Sequence, residues 1–360
     1  MPALADRLRT LAPTLAARPV VVGFDGFVDE MITPVRERRS LTEFAAVPSI
    51  AEFAQLTAAA AGRSSCREVV IRETAAGGCA VNLGDGLAAL GVPVHGFATL
   101  GEPVHAAFRP VIARWAACRS WGDEPGRTLA FEFGDGKLMY PAVAQLARFT
   151  PEHLRRCLAD GAYAAACAQA SAIAFTNWSL YPHMTACWQV VQREVLAGLR
   201  QRPLIFVDLV DPSARTGEDL RAMLAALAGF GAAGEAVLGI NFNEAGVLGR
   251  ALGLPPADAQ DLAGTADRLR TAIGVARVVL HTHHAAAEAS AAGQASAASY
   301  HTPAPKRSVG AGDRFNAGYV AGCLLGLSAP DRLATACAVA GAFVRQGASP
   351  TMAQAAALIG

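Results

Sequence analysis

The sequence predicts an α/β fold in which a mostly parallel sheet is covered by helices on both faces. Short apolar, β-branched runs alternate with longer Ala- and Leu-rich stretches along almost the whole chain. Strands that are buried on both faces have continuous apolar sequences, so this alternation indicates parallel strands connected by helices. The predicted strands lie at 19–24, 92–101, 171–177, 203–209, 236–241 and 276–282, and the clearest predicted helices at 80–90, 183–199, 219–229 and 263–273.

One part of the chain departs from this alternation and predicts a small separate sheet. Residues 127–141 contain two short apolar runs around Gly134-Asp-Gly-Lys137, which is typical of a β-hairpin. An appendage inserted early in an α/β domain suits a lid over an active site. No internal repeat or linker divides the chain. We therefore expect one domain over 1–360, with a lid formed by insertions within about 28–75 and 125–142.

Composition excludes several classes of protein. Charged residues make up only 17% of the chain and the formal net charge is +1, so we expect no nucleic-acid or membrane partner. No apolar stretch approaches the roughly 20 residues of a membrane span. Charges and a proline interrupt the N-terminal segment where a signal peptide needs an apolar core. The eight cysteines form no C-x-x-C pair, and we expect them to be reduced, buried residues of a cytoplasmic protein.

The segment 308–318, Ser-Val-Gly-Ala-Gly-Asp-Arg-Phe-Asn-Ala-Gly, is the most informative. Gly310 and Gly312 precede a predicted apolar helix, and Asp313 lies at its start. The N–H groups of a helix N-terminus attract anions, and glycine lets the backbone approach a ligand closely. A carboxylate there could take a proton from a hydroxyl while the backbone holds a phosphoryl group, which indicates phosphoryl transfer to an alcohol. The alternative is that Asp313 is only a helix N-cap.

Two further polar groups suit a polyhydroxylated substrate. Gly77 and Gly78 precede a predicted helix whose first turn offers Asn82, an amide that both donates and accepts hydrogen bonds. Asp25 and Asp29 lie just past the first strand, at the sheet edge where ligands bind in parallel α/β folds. The structural alternatives are a capped helix for the first group, a turn for Asp25 and a helix cap for Asp29.

Three remaining motifs are ambiguous or misleading. Asn241 and Glu244 are spaced as a capping box, and they could equally hold the waters of a magnesium ion. The segment 281–284, His-Thr-His-His, has no neighbouring carboxylate or cysteine, so a loop lining a nucleotide is favoured over a zinc site. The segment 229–234 matches G-x-G-x-x-G, but it follows a helix and precedes a strand, which is the reverse of a dinucleotide-binding loop.

Together these segments resemble the ribokinase-like superfamily of PfkB-type carbohydrate kinases. The segment 76–91 is similar to the first signature of that family and 309–318 to the second. The segment 241–244 is similar to its magnesium and phosphate motif. The matches follow one another in the family's order over roughly 20–350.

The resemblance implies a three-layer α/β/α ribokinase-like core with a mostly parallel central sheet plus a small β lid. It implies transfer of the terminal phosphate of ATP, with Mg²⁺ as cofactor, to a hydroxyl of a sugar-like substrate. Asp313 would be the general base, and the N–H groups of Gly310, Ala311 and Gly312 would form the anion hole. The other implied site residues are Asp25, Asp29, Gly77, Gly78 and Asn82 for the acceptor, Asn241, Thr282, His283 and Asn316 for the nucleotide, and Glu244 for the metal.

The chain also departs from the family pattern. Arg307-Ser308 stands where the family usually has Asp-Thr, and because that Asp often supports a monovalent-cation site, potassium activation stays open. The segments 23–29, 131–133 and 280–282 look more like ADP-dependent sugar kinases of the same superfamily. Those kinases are typically longer and usually have Leu where Ala311 stands, so ATP is favoured and ADP is the alternative.

Two other functions remain open at this stage. A nucleoside kinase on the same scaffold would stack its acceptor on aromatic residues such as Phe24, Phe27 or Phe133. A non-catalytic sugar or nucleotide sensor is supported only by Arg307 and the altered segment 281–284. The expected partners are a small sugar and a nucleotide, and an exposed lid edge strand would allow a homodimer through the lid.

Overall fold

The structure, a computed structural model, describes residues 3–360. Its strands are β1 (Val20–Phe24), β2 (Phe27–Arg38), β3 (Phe44–Ala46), β4 (Val69–Gly77), β5 (Val94–Ala98), β6 (Ala117–Ser120), β7 (Gly126–Phe133), β8 (Gly136–Ala142), β9 (Ala172–Phe175), β10 (Leu204–Asp208), β11 (Glu235–Asn241), β12 (Arg277–His281), β13 (Ala285–Ser290) and β14 (Gly293–Ala298). Its helices are α1 (Leu4–Leu11), α2 (Ile50–Ala58), α3 (Cys79–Ala89), α4 (Arg109–Ile112), α5 (Pro151–Leu158), α6 (Ala162–Gln169), α7 (Met184–Glu194), α8 (Gly217–Gly229), α9 (Phe242–Ala251), α10 (Leu262–Ile273), α11 (Ala311–Leu324), α12 (Ala329–Gln346) and α13 (Met352–Ile359).

The central sheet has nine strands in the order β14-β13-β12-β11-β10-β9-β1-β5-β6. The seven strands from β12 to β6 are parallel, and β13 and β14 add an antiparallel hairpin at one edge. All six predicted strands belong to this sheet, which confirms the mostly parallel arrangement. The hairpin was not predicted, because its alanine-rich strands lack the β-branched and aromatic residues that indicate a strand.

Apolar side chains from the two faces of the sheet enter two separate cores. In β1, Val21 points into one core, and Val20 and Val22 point into the other. Helices α5 to α10 cover the first face, and α1, α3, α11, α12 and α13 cover the second. This alternation follows from the two-residue period of a strand, and it produces the predicted three layers.

The second sheet contains β2, β3, β4, β7 and β8, which come from the segments assigned to a lid. β2 follows β1 after only two residues and pairs with β4, β3 and β7. Two contacts join this sheet to the loop before α11. Lys137 Nζ donates to Ser308 Oγ at 2.7 Å, and Arg307 lies 3.9 Å from the carboxylate of Glu73.

The cysteines do not all match the expectation of buried residues. All eight are free; Cys167, Cys187 and Cys337 are buried, four others are partly buried, and Cys66 is exposed. None of the helices within residues 3–360 has both the length and the apolar character needed to cross a membrane.

The contact between α11 and α12 leaves no room for a side chain at Gly318. A Cβ added there would lie 2.8 Å from Ala336 Cα and 2.9 Å from Val339 Cβ. We expect Gly318→Ala to lower the free energy of unfolding by about 1–3 kcal/mol through overpacking, as measured by urea denaturation. Gly231→Ala is the matched control, because a Cβ at Gly231 meets nothing within 4 Å. Equal stability of the two variants would contradict this packing argument.

Candidate active site

The predicted site residues gather at the carboxyl ends of the central strands. Asp25 follows β1, Asp208 ends β10, Asn241 ends β11 and His281 ends β12. The N-terminus of α11, with Asp313 in its first turn, lies beside them. The carboxyl ends of parallel strands share one sheet edge, so residues far apart in sequence meet there.

The glycine cradle before α11 presents free backbone donors. Gly310 is the N-cap residue and has φ 82°, a left-handed conformation that favours glycine. The N–H groups of Gly310, Gly312 and Asp313 donate to no group within residues 3–360. The N–H of Ala311, in contrast, donates to the Ser308 carbonyl at 3.2 Å. The geometry therefore replaces Ala311 by Asp313 in the predicted set of anion-binding N–H groups.

Asp313 is buried and is not a helix cap. Gly310 occupies the N-cap position, and the Asp313 side chain makes no capping bond, so the capping alternative is wrong. Asn82 Nδ2 donates to Asp313 Oδ2 at 2.9 Å. Burial, and secondly the carboxylate of Asp208, raise the pKa of Asp313 to about 8, although Arg314 opposes this rise. This carboxylate is oriented by an amide and can hold a proton near neutral pH.

The helices α3 and α11 are joined by a buried ion pair behind Asp313. Arg314 Nη2 lies 2.8 Å from Asp85 Oδ2, and both side chains are less than a tenth exposed. Ser349 Oγ donates to the same Asp85 oxygen at 2.5 Å and accepts from Arg314 Nε at 3.0 Å. The Arg314 guanidinium also stacks over Phe343 at 4.6 Å. These contacts hold Arg314, and with it the first turn of α11 that contains Asp313, in one position.

Asp25 has no free acceptor position for a sugar. Its carboxylate accepts from the N–H groups of Cys79 at 2.7 Å and Ala80 at 2.8 Å, so it caps α3 from another part of the chain. It also accepts from Thr176 Oγ1 at 2.6 Å and Asn177 Nδ2 at 3.0 Å. A carboxylate offers about four lone-pair positions, and here all of them are used. The geometry does not fit the predicted acceptor-binding role of Asp25; this residue positions α3.

Asp29 lies against Gly77, the first of the two glycines that precede α3. It belongs to strand β2, so it is not a helix cap. A Cβ on Gly77 would lie 2.1 Å from Asp29 Oδ2, and one on Gly78 would lie 3.0 Å from Asp25 Oδ2. The glycines therefore make room for the two carboxylates. Burial raises the pKa of Asp29 above its usual range.

Asn241 and Glu244 form a complete capping box at the start of α9. Asn241 Oδ1 accepts from the Glu244 N–H at 3.0 Å, and Glu244 Oε2 accepts from the Asn241 N–H at 2.9 Å. Burial, and secondly Asp208, raise the pKa of Glu244 to about 8. Burial raises the pKa of Asp208 itself to about 6, against hydrogen bonds from Val210 and Asn316. The capping box thus fixes Glu244 beside other carboxylates, and the two alternatives for this motif are compatible.

The donor set at this edge fits a magnesium ion held largely through water. Asp208 raises the pKa of both Glu244 and Asp313, Asp313 also raises that of Glu244, and a divalent cation would relieve this repulsion. Across residues 3–360, no three His, Cys, Asp or Glu side chains are close enough together to hold one metal ion directly. Magnesium keeps several of its waters and needs few direct carboxylates, so these residues suit it.

Two of the residues predicted to bind the nucleotide have structural partners of their own. Thr282 Oγ1 accepts from the N–H groups of His284 and Ala285, and so stabilises the turn after β12. Asn316 is 1% exposed and donates from Nδ2 to Asp208 Oδ2 at 2.6 Å. This burial does not fit direct contact of Asn316 with a nucleotide; it orients Asp208 instead. His283 is exposed in the turn, where it is free to meet a ligand.

His281 borders the glycine cradle. Its ring stacks on Phe315 at 4.7 Å, and a Cβ on Gly312 would lie 3.3 Å from its Nε2. The Nδ1 atom is buried and has no hydrogen-bond partner within residues 3–360. Burial lowers the pKa of His281 to about 4, so the ring is neutral at physiological pH. It therefore adds no charge beside the cradle.

The G-x-G-x-x-G segment is the helix-to-strand connection that its sequence order predicts. Gly229 ends α8, and Glu235 begins β11. The connection between them is a single short turn of 3-10 helix. It follows a helix and precedes a strand, so the dinucleotide-binding interpretation is wrong.

A family model of prokaryotic ketohexokinases matches residues 2–360. The chain belongs to the prokaryotic ketohexokinase family. A ketohexokinase of Haloferax volcanii is 27% identical over 335 residues, which cover 92% of this chain and 88% of that protein. Membership of this family confirms the predicted PfkB-type carbohydrate kinase and excludes the non-catalytic sensor as the best description.

Solved structures confirm the ribokinase-like fold of this ketohexokinase family member. Arabidopsis thaliana ribokinase, complexed with ribose and ATP, superposes with a TM-score of 0.61 at 17% identity and covers 95% of this chain and 98% of its own. A Burkholderia thailandensis nucleoside kinase in complex with inosine gives a TM-score of 0.60 at 14% identity, with coverage of 95% and 96%. At these identities the similarity shows the fold alone.

Two elements of the site were not predicted from the sequence. Asp208 ends an apolar strand just as Asp25 follows one, so the same signal was available for it. The partnership of Arg314 with Asp85 had no local signal, because 229 positions separate the two residues. Arg314 was conspicuous only as a charge inside an otherwise apolar helix.

The raised pKa of Asp313 predicts how stability depends on pH. The folded protein holds the Asp313 proton more tightly than the unfolded chain does, so ionisation of this group lowers stability as the pH rises from about 4 to about 8. We expect Asp313→Asn to be more stable than wild type in urea denaturation at pH 8, and expect the difference to shrink at pH 5. Asp331→Asn is the control at a partly exposed carboxylate. If Asp313→Asn were less stable than wild type at pH 8, the inference that ionisation of Asp313 destabilises the folded protein would be contradicted.

Proposed function

We propose that this chain transfers the terminal phosphate of ATP to a hydroxyl of a ketohexose, with Mg²⁺ as cofactor and Asp313 as general base. The observation that carries the proposal is the buried Asp313 carboxylate beside three free backbone N–H groups at the N-terminus of α11. The family to which the chain belongs, and the name of its Haloferax volcanii relative, support a ketohexose as acceptor.

In this proposal Asp313 removes the proton from the acceptor hydroxyl. The hydroxyl oxygen then bonds to the terminal phosphorus, and the bond from that phosphorus to the leaving nucleotide oxygen breaks. The N–H groups of Gly310, Gly312 and Asp313 donate to the phosphoryl oxygens as charge develops on them. A pKa of about 8 suits a base that works near neutral pH, and the amide of Asn82 keeps the carboxylate aligned.

Acceptor and metal are assigned to two different groups of residues around this base. Asn82, Asp29 and the backbone of Gly77 and Gly78 are the proposed acceptor contacts. Glu244 and Asp208 would hold Mg²⁺ through its waters, and the cation would neutralise charge on the donor phosphates. The exposed His283 and the turn around Thr282 are the proposed contacts for the rest of the nucleotide.

The aromatic residues argue against a nucleoside acceptor. Phe24 is fully buried in a cluster with Trp121 and Phe175, and Phe27 is 3% exposed. Phe133 packs against Phe53 at 5.3 Å. With these rings buried or occupied, stacking of a nucleobase on them, which the nucleoside kinase alternative required, is not supported.

A turnover assay tests the proposal directly. Purified protein is assayed with a panel of ketohexoses, aldoses and nucleosides, with ATP or ADP as donor, and with or without Mg²⁺ and potassium. We expect phosphorylation of a ketohexose with ATP that requires Mg²⁺. Turnover only with ADP would move the donor assignment to the alternative, and turnover only with nucleosides would overturn the acceptor assignment.

Substitution of the base tests the mechanism. Asp313→Asn keeps the shape of the side chain and removes the proton acceptor, so we expect kcat to fall about 10²–10⁴-fold. Binding of the sugar, measured by calorimetry, should persist within a few-fold. Asp331→Asn should retain full activity, because that carboxylate pairs with Arg7 outside the site. Wild-type turnover in Asp313→Asn would exclude Asp313 as the base.

We also propose a homodimer formed through the lid. The second sheet, which forms the proposed lid, exposes apolar side chains. Val69 and Ile71 on strand β4 are 43% and 52% exposed, and Met139 and Tyr140 on β8 are also exposed. Both strands lie at edges of the sheet and offer unpaired backbone groups.

Light scattering tests the dimer. We expect a dimer mass for wild type and a monomer mass for Ile71→Glu. Leu41→Glu is the matched control, since Leu41 is 99% exposed in a loop outside the two edge strands. A monomeric wild type would end this proposal.

A further inference from the structure

A cavity lies at the end of the central sheet where the strands begin, opposite the end that carries Asp313. It has a volume of about 820 Å³. Its walls include Leu204, Glu235 and Arg277, the first residues of β10, β11 and β12, and Leu324, the last residue of α11. The full length of the strands and of α11 therefore separates this cavity from the glycine cradle. None of the residues assigned to phosphoryl transfer lines it.

The cavity is strongly cationic. Its lining contains a single carboxylate, Glu235, and five arginines, which are Arg18, Arg202, Arg270, Arg277 and Arg332. Arg270 and Arg332 pair with Asp267 and Glu288, which lie behind the lining. Within the described part of the chain, Arg18 and Arg202 have no carboxylate partner. Arg202 donates only to carbonyls, including those of Gly231 and Ala232. Positive charge therefore exceeds negative charge in this cavity.

Arg277 is the most deeply buried arginine that lines the cavity. Its side chain is only 8% exposed, yet its Nε donates to no group within residues 3–360. Its other nitrogens contact Glu235 at 2.6 Å and the Tyr319 hydroxyl at 3.3 Å. Arg277 therefore holds a positive charge in the wall of the cavity, at the start of β12, where it would attract an anion.

We propose that this cavity binds a small molecule that carries a diphosphate or triphosphate group. Several arginine forks around one volume match the many oxygens of such a group better than they match a single carboxylate. The volume also lies in the range of small-molecule sites, roughly 300–1,000 Å³, so it can hold more than an inorganic ion. The site would be separate from that of the phosphate donor.

Hydrogen exchange with inorganic pyrophosphate locates the binding. We expect slower exchange in residues 201–204 and 290–293, which border the cavity, in wild-type protein with pyrophosphate present. Exchange around 310–313 reports separately on anion binding at the glycine cradle. Protection confined to 310–313 would overturn the proposal, and so would protection by citrate equal to that by pyrophosphate.

Calorimetry with variants tests the arginines. Removing two cations in Arg18→Ala/Arg202→Ala should weaken pyrophosphate binding at this site by about tenfold or more. Arg63→Ala/Arg109→Ala removes the same charge from exposed positions outside the cavity and should bind like wild type. Arg202→Lys keeps the charge but loses the planar guanidinium group, and it should also weaken pyrophosphate binding. This variant tests the proposal if the double variant does not fold. Affinity equal to the control in both test variants would overturn the proposal.

Discussion

The buried ion pair between Arg314 and Asp85 joins the two helices on which the proposed chemistry depends. Asn82 lies one turn before Asp85 on α3, and Asp313 immediately precedes Arg314 on α11. The pair thus places the amide of Asn82 within 2.9 Å of the Asp313 carboxylate. Asp85 also pairs with Arg114, but replacing Asp85 would leave the buried Arg314 charge unpaired, at a cost of about 3–5 kcal/mol. The positions of the base and of its orienting amide are therefore secured from behind the site.

The same edge of the sheet concentrates negative charge that does not favour folding. Glu244 and Asp313 are buried and Asp208 is half-buried, and burial raises the pKa of each. A fold selected only for stability would place apolar or neutral groups here. Locally unfavourable groups of this kind are typical of functional sites, where a substrate or a cation completes the set of interactions.

The sequence predicted the elements whose signals are local. The apolar strands, the helix start at Asp313 and the misleading glycine segment at 229–234 were all interpreted correctly from neighbouring residues. The roles of Asp25 and Asn316 were not, because their hydrogen-bond partners come from distant parts of the chain. A pattern shows that a carboxylate lies at a strand end, but it does not show whether other protein groups already occupy its oxygens. The Ala311 N–H differs from its neighbours for a similar reason, since the turn to Ser308 uses it.

Arg307 and Ser308, the two unusual residues before the glycine cradle, connect this cradle to the second sheet. Both residues touch the lid sheet, one at Glu73 and the other at Lys137, and only one residue separates Ser308 from Gly310. The second sheet is thus connected, through these two contacts, to the loop that leads into the backbone with the free N–H groups. A substitution at Glu73 or Lys137 would remove one of the contacts that hold the loop before the glycine cradle.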